Sequence, residues 1–192
     1  LEARVLEMVA IDRERPDFAI EAIEEPVIAR IEGLDLELRP DRLDRLGDGS
    51  LAVIDYKTGA SADVRAWLDE RPRLPQLPAY LLALGPERIA AVSFARLRTG
   101  DTGYAGLARS AEHFPGLKVP GAKGGPKGFD SWEQLVAEWQ RGLGGLAAEY
   151  VAGDARLAPN PKKACEYCHL GALCRIAETR GAAPDEEVGE DE

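Results

Sequence analysis

No stretch of this 192-residue chain approaches the roughly 18 consecutive apolar residues that a helical membrane span needs, although 45% of its residues are hydrophobic. The N-terminus also lacks the basic, apolar and small-residue succession of a secretory signal, so a cytoplasmic location is expected. Histidine is scarce, and none precedes His113. Positive charge is in deficit: the formal net charge is -10, whereas phosphate-binding surfaces favour lysine and arginine. Much of that deficit is local. Asp185, Glu186, Glu187, Glu190, Asp191 and Glu192 supply six negative charges with no basic residue among them, which leaves -4 for the remainder. Residues 181–192 therefore read as a disordered, solvated acidic tail.

What remains has the composition of an ordinary globular domain, and residues 1–180 are long enough to form one around its own core. Leu1 stands where an initiating Met would, and Leu1 to Glu14 reads as the tail of a helix. The chain is therefore expected to be an N-terminally truncated piece of a longer polypeptide. Val5, Leu6, Val9 and Ala10 give that helix its spacing and Pro16 its end. Phe18 to Ile23 has the pattern of a strand, and Val27 to Leu38 continues as a half-buried strand with Leu34, Leu36 and Leu38 on one face. Pro40 removes a backbone donor, which predicts a bulge or an edge position there.

Gly47, Asp48 and Gly49 are the strongest turn signal, and they separate two strand-like runs. The returning run, Ser50 to Thr58, is apolar on both faces as far as Ile54, so it should be central and covered on both sides. Beyond it, Ser61 could cap a short helix to about Glu70. Gln76 to Leu84 forms a second helix that tolerates Pro78 in its first turn. Ile89 to Leu97 and Thr102 to Ala108 form a hairpin, and Arg109 to Asp130, rich in Gly, Pro and Lys, a long loop. Ser131 and Gln134 make a capping box for a helix to about Ala152, with Trp132, Leu135, Val136 and Trp139 on its buried side. The expected architecture is α/β, a mixed central sheet flanked by helices.

A three-residue turn at Gly47 to Gly49 places Leu46 opposite Ser50 and, by counting back along the ladder, Asp41 opposite Asp55, whereas a two-residue turn would shift the pairing by one and leave Asp41 diagonal to Asp55. Directly opposed side chains start from Cβ atoms roughly 4.5 to 5.5 Å apart, close enough for two carboxylates to share a divalent ion. Lys57 shares the face of Asp55 because strand side chains alternate. A divalent ion between carboxylates lowers the pKa of bound water and neutralises charge on a phosphate, and a lysine beside it can orient the water. A salt-bridged hairpin end is the plain alternative.

The run Arg39 to Arg45 (RPDRLDR), then Asp48-Gly49, then Val53 to Gly59 (VIDYKTG), resembles the core of the RecB-like PD-(D/E)xK nucleases. That resemblance implies a restriction-endonuclease-like core and metal-dependent hydrolysis of DNA with Mg²⁺ or Mn²⁺, in repair or recombination and by exonuclease action. A helicase partner is expected with it. It also implies Asp41, Asp55 and the Tyr56 carbonyl as metal ligands, Lys57 as the catalytic lysine, and Gln76 and Tyr80 as the Gln-x-x-x-Tyr motif. Glu24 or Glu25 would correspond to a further acid of the family, and Arg42 and Asp44 to a structural ion pair. The family often places a histidine or acid on a helix before the first strand, and this chain offers no histidine there. Arg65, Arg71, Arg73, Lys118, Lys123 and Lys127 are candidate phosphate contacts.

All three cysteines, Cys165, Cys168 and Cys174, fall within ten residues as C-x₂-C-x₅-C. Thiolates so spaced point to a shared metal or cluster. Zinc could recruit His169 as a fourth ligand, whereas a [4Fe–4S] cluster wants a fourth cysteine. The resemblance favours iron and sulfur, because the recombination-helicase and CRISPR-adaptation branches carry such a trio after the core and a fourth cysteine upstream, here before Leu1. Segment 164–176 is then the cluster-binding part of the nuclease domain. Two rival readings are a catalytically silent DNA-binding or scaffolding module of a helicase–nuclease complex, and a zinc-bound protein-interaction domain. Neither accounts for the Asp-Tyr-Lys strand.

Overall fold

A computed structural model describes residues 2–59, 62–156, 165 and 168–175. Two compact units are distinguished, residues 1–153 and 154–192. The first opens with α1 (Glu2–Arg13), followed by β1 (Phe18–Ile23), β2 (Val27–Ile31), β3 (Leu34–Leu38), β4 (Arg42–Leu46) and β5 (Leu51–Lys57). A 3₁₀ turn (Val64–Trp67), α2 (Gln76–Leu84), β6 (Ile89–Arg98), β7 (Asp101–Ala108) and α3 (Trp132–Val151) complete it. The five-stranded sheet runs β1-β4-β5-β6-β7. All its pairs are antiparallel except β5–β6, which are parallel and are joined by the crossover that carries α2.

This is the expected mixed sheet with helices on both faces. On one face Leu51, Val53, Val92 and Phe94 pack against Trp67, Leu77, Tyr80, Leu81, Leu135 and Trp139. On the other Ala52, Ile54, Ala91 and Ala95 pack with Met8, Phe114 and Leu117. The small residues of that second face suit close approach of α1, which lies over β6 and β7. Residues Leu51 to Asp55 are all buried, as a central strand covered on both sides requires.

Several boundaries differ from the sequence reading, each for a local reason. Val27 to Leu38 is not one strand but the hairpin β2–β3, with Ile31 paired to Leu34. Glu32 (φ 46°) and Gly33 (φ 81°) both take the left-handed region, which is what a two-residue type I′ turn demands. Register irregularities fall in β1, between Ile20 and Ala22, and in β5 where it pairs with β6, between Leu51 and Ala52, rather than at Pro40. Pro40 instead lies between strands, and its carbonyl accepts a hydrogen bond from Glu24 N at 3.1 Å.

The helix expected from Ser61 is shortened to the 3₁₀ turn, capped by the Asp63 side chain accepting from Arg65 N; Ser61 itself lies outside the described residues. Ser131 caps α3 as expected, by accepting from Gln134 N at 3.2 Å, but Gln134 reaches back to Asp130 N rather than to Ser131. Within the loop 109–130, Lys118 adds a parallel bridge to Leu107.

Two glycines separate packing from propensity. A Cβ on Gly106 of β7 would lie 2.1 Å from the Val92 carbonyl oxygen and 2.6 Å from Ser93 Cα, whereas one on exposed Gly145 of α3 meets nothing within 4 Å. Gly106→Ala is expected to cost about 1–3 kcal/mol through overpacking, and Gly145→Ala to stabilise by about 0.5–1 kcal/mol through helix propensity. Urea titration of both variants against wild type checks the opposite signs.

Candidate active site

The turn after β4 fixes where the acids meet. Gly49 N donates to Leu46 O at 2.9 Å and Leu46 N to Ser50 O at 2.8 Å, which closes a three-residue loop. The ladder then pairs Arg45 with Leu51, Asp44 with Ala52, Leu43 with Val53 and Arg42 with Ile54. Asp41 falls one step beyond, opposite Asp55. Its Oδ2 accepts a hydrogen bond from Tyr56 N at 2.8 Å, so the side chain is turned toward β5.

Asp55 is 1% exposed, and Lys57 reaches it with Nζ 2.5 Å from Oδ2. Lys57 is the charged partner of this buried oxygen. Burial pushes the Asp55 carboxyl above its ordinary value; Lys57 opposes this, and the charge of Asp41 adds to it. An acid held under these conditions in a low-dielectric site is a strong acceptor for a cation, since a divalent charge would offset both desolvation and mutual repulsion.

Gln76 and Tyr80 stand one turn apart on α2 and meet the same strand end. Gln76 Oε1 lies 3.4 Å from Lys57 Nζ, Gln76 Nε2 donates to the Tyr80 hydroxyl at 2.7 Å, and that hydroxyl donates to the Arg39 carbonyl at 2.8 Å. Burial raises the Tyr80 pKa above the ordinary phenol value; Gln76 opposes the shift and the charges of Asp55 and Asp41 add to it. Tyr80 thus remains a neutral donor. The Lys57 ammonium also lies 5.6 Å from the centre of the Phe94 ring. A groove of about 1000 Å³ opens from Lys57, Gln76 and Tyr80 between β3 and α3, with walls that include Leu36, Leu38, Leu146 and Tyr150.

Other expected residues have varied placements. Glu24 and Glu25 are exposed, and Glu24 adopts a left-handed φ of 50° while its N–H meets the carbonyls of Pro40 and Asp41. Glu24 therefore sits beside the Asp41 backbone. Arg42 and Asp44 form the anticipated buried ion pair, at 2.7 and 3.0 Å. Of the candidate phosphate contacts, Arg65 pairs with Asp63, Arg71 with Glu149 and Arg73 with Asp69, while Lys118, Lys123 and Lys127 are exposed. Sequence reasoning missed Asp12, Arg15 and Tyr104, which gather behind the acids. Only the three-residue spacing of Asp12 and Arg15 hinted at a pair.

In the second unit, Gly171–Cys174 forms a single helical turn, α4, and Cys174 N donates to Leu170 O at 2.7 Å. Cys165 and Cys168 are exposed, Cys174 is partly so, and all three thiols are free. Among the described residues, no three His, Cys, Asp or Glu side chains converge as a metal-ligand set. Residues 164, 166, 167 and 176 of that segment, and the acidic tail, lie outside the described residues.

No curated protein matches the chain. A solved structure described as "Crystal structure of SSO0001" is similar at 13% identity and a TM-score of 0.43, covering 91% of this chain and 68% of that one. The family model of the PD-(D/E)XK nuclease superfamily matches residues 1–175, a span that includes the opposed acids, the lysine and the α2 motif. With that match across nearly the whole chain, the protein belongs to the PD-(D/E)XK nuclease superfamily.

Proposed function

We propose that this domain is a Mg²⁺- or Mn²⁺-dependent deoxyribonuclease that hydrolyses DNA phosphodiesters as an exonuclease in repair or recombination. The observation that carries this reading is the buried Asp55 carboxylate, set opposite Asp41 and paired with Lys57 at one strand end. Hard carboxylate oxygens fit Mg²⁺ or Mn²⁺, so Asp41 and Asp55 are the proposed side-chain ligands, with the Tyr56 carbonyl as a third. A bound divalent ion would supply a more acidic water and neutralisation of phosphate charge.

The chain's own groups do the rest. Lys57 presents an ammonium at the mouth of the groove, where it can hold the attacking water or the charge that develops on phosphate oxygens. Gln76 limits the positions open to that ammonium, and Tyr80, anchored on the Arg39 carbonyl, fixes Gln76. The apolar walls around Leu36, Leu38 and Tyr150 suit unpaired bases better than a duplex presenting phosphates, which supports action on strand ends or single strands. A helicase is the proposed supplier of such strands.

The close sequence spacing of the free cysteines Cys165, Cys168 and Cys174 supports a further proposal, that they are three ligands of a [4Fe–4S] cluster. The fourth ligand would come from outside this chain.

Mn²⁺-dependent degradation of linear and circular DNA by the full-length protein tests the main reading. Linear DNA alone should be degraded. Asp55→Ala should abolish cleavage while leaving the fold intact, and Lys57→Ala should slow it by about 10²–10³-fold. Cleavage retained in Asp55→Ala would remove the assignment of the site.

Proton linkage gives an independent check without DNA. Because burial raises the Asp55 pKa in the metal-free fold, the folded state binds more protons than the unfolded chain as pH rises through and above the ordinary carboxylate range. Stability contributed by Asp55 therefore falls across that window and stays lost above the raised pKa. Asp55→Asn is expected to melt higher than wild type at neutral pH without metal, with the gain shrinking in acid. Equal melting temperatures across the pH series would contradict a buried carboxylate whose desolvation outweighs its pairing with Lys57.

A further inference from the structure

Behind the acid pair, on the α1 side of the sheet, lies a second group of charges that hydrolysis itself does not use. Arg42 and Asp44 are 6% and 0% exposed. Arg42 Nε and Nη2 donate to the two oxygens of Asp44, and its Nη1 donates to Asp12 Oδ2 at 2.9 Å and to the Tyr56 hydroxyl at 3.0 Å. Arg15 Nη1 bridges Asp12 and Asp44, each at 2.9 Å, and the Tyr104 hydroxyl donates to Asp12 Oδ1 at 2.6 Å. Burial raises the Asp12 pKa, but the hydrogen bonds from Tyr104, Arg42 and Arg15 outweigh it and hold the carboxyl below its ordinary value.

Buried charge is a poor way to gain stability, since desolvation offsets much of the attraction and apolar packing would serve as well. It is a good way to fix direction. Each acid has a chain neighbour in this group: Arg42 follows Asp41, and Tyr56 follows Asp55. Tyr56 joins the two sides of the sheet. Its N–H donates to Asp41 Oδ2 on the front, and its hydroxyl accepts from Arg42 on the back.

We infer that Tyr56 is a positioning residue whose hydroxyl, held by Arg42 and through it by Asp12 of α1, orients the Asp41 carboxylate against Asp55 and so sets the divalent-cation affinity of the pair. The inference rests on the reading of Asp41 and Asp55 as the metal site. Helix α1 is then a rear support of the site, and the ion pair Arg42–Asp44 is the clamp that keeps the guanidinium aimed at β5.

The test is calorimetric Mn²⁺ binding by the full-length protein, with no DNA and no turnover. Tyr56→Phe keeps the ring and main chain and deletes only the hydroxyl; its Mn²⁺ dissociation constant should rise about tenfold, the scale of losing an outer-shell partner. Asp12→Asn, which changes only the remote end of the network, should shift it less but in the same direction. It also carries the test if Tyr56→Phe fails to fold. Folded variants that melt lower yet bind Mn²⁺ with wild-type affinity would overturn the inference, because a merely structural role predicts that result. Asp55→Ala separates the two levels: if it binds Mn²⁺ as wild type does, the metal-site reading fails and takes the inference with it.

Discussion

Two carboxylates that repel each other are held face to face at one end of a strand pair, and most of the first unit is arranged around that constraint. The opposition of Asp41 and Asp55 depends on the turn at Gly47 to Gly49, because a change of one residue in the loop would shift the whole ladder. Asp55 is also taken out of water by the core around β5, so the cost of its charge is felt in the metal-free fold. Lys57 relieves part of that cost from the front.

The parallel pairing of β5 and β6 has a functional consequence through its crossover. A parallel pair cannot be closed by a tight turn, so the chain must leave the end of β5 and return to the start of β6. Helix α2 lies on that route and buries Leu77, Tyr80 and Leu81 against the sheet. Its Gln76 and Tyr80, four residues apart, are thereby brought to the strand end where Lys57 emerges. The same topology leaves β2–β3 outside the main sheet, free to form the opposite wall of the groove with α3. Sheet order, crossover and groove are thus coupled.

What the sequence made legible was mostly local. The Gly-Asp-Gly turn and strand alternation together located Asp41 against Asp55 and gave Lys57 its face, and the bounds of α2 followed from its apolar spacing. The β2–β3 turn was missed because Glu32 shares the left-handed region with Gly33, a role that glutamate rarely signals. The helix after Gly59 was overestimated because a capping residue was visible at Ser61, whereas the run forms only a 3₁₀ turn capped by Asp63. The network of Asp12, Arg15, Arg42, Asp44 and Tyr104 was visible only as the Arg42–Asp44 pair. Apart from Asp12–Arg15, three residues apart, its other contacts join residues 29 to 92 positions apart, and no periodicity reports such pairings. Charge balance was the least informative feature, since the site's own acids and the acidic tail mask whatever basic surface meets DNA.

The central claim is that Asp41 and Asp55 jointly hold a divalent cation, and anomalous diffraction from crystals soaked in Mn²⁺ tests it most directly. A single strong peak contacting one carboxylate oxygen from each residue is the predicted result. Mn²⁺ ordered elsewhere, with Asp55 still paired only to Lys57, would contradict it.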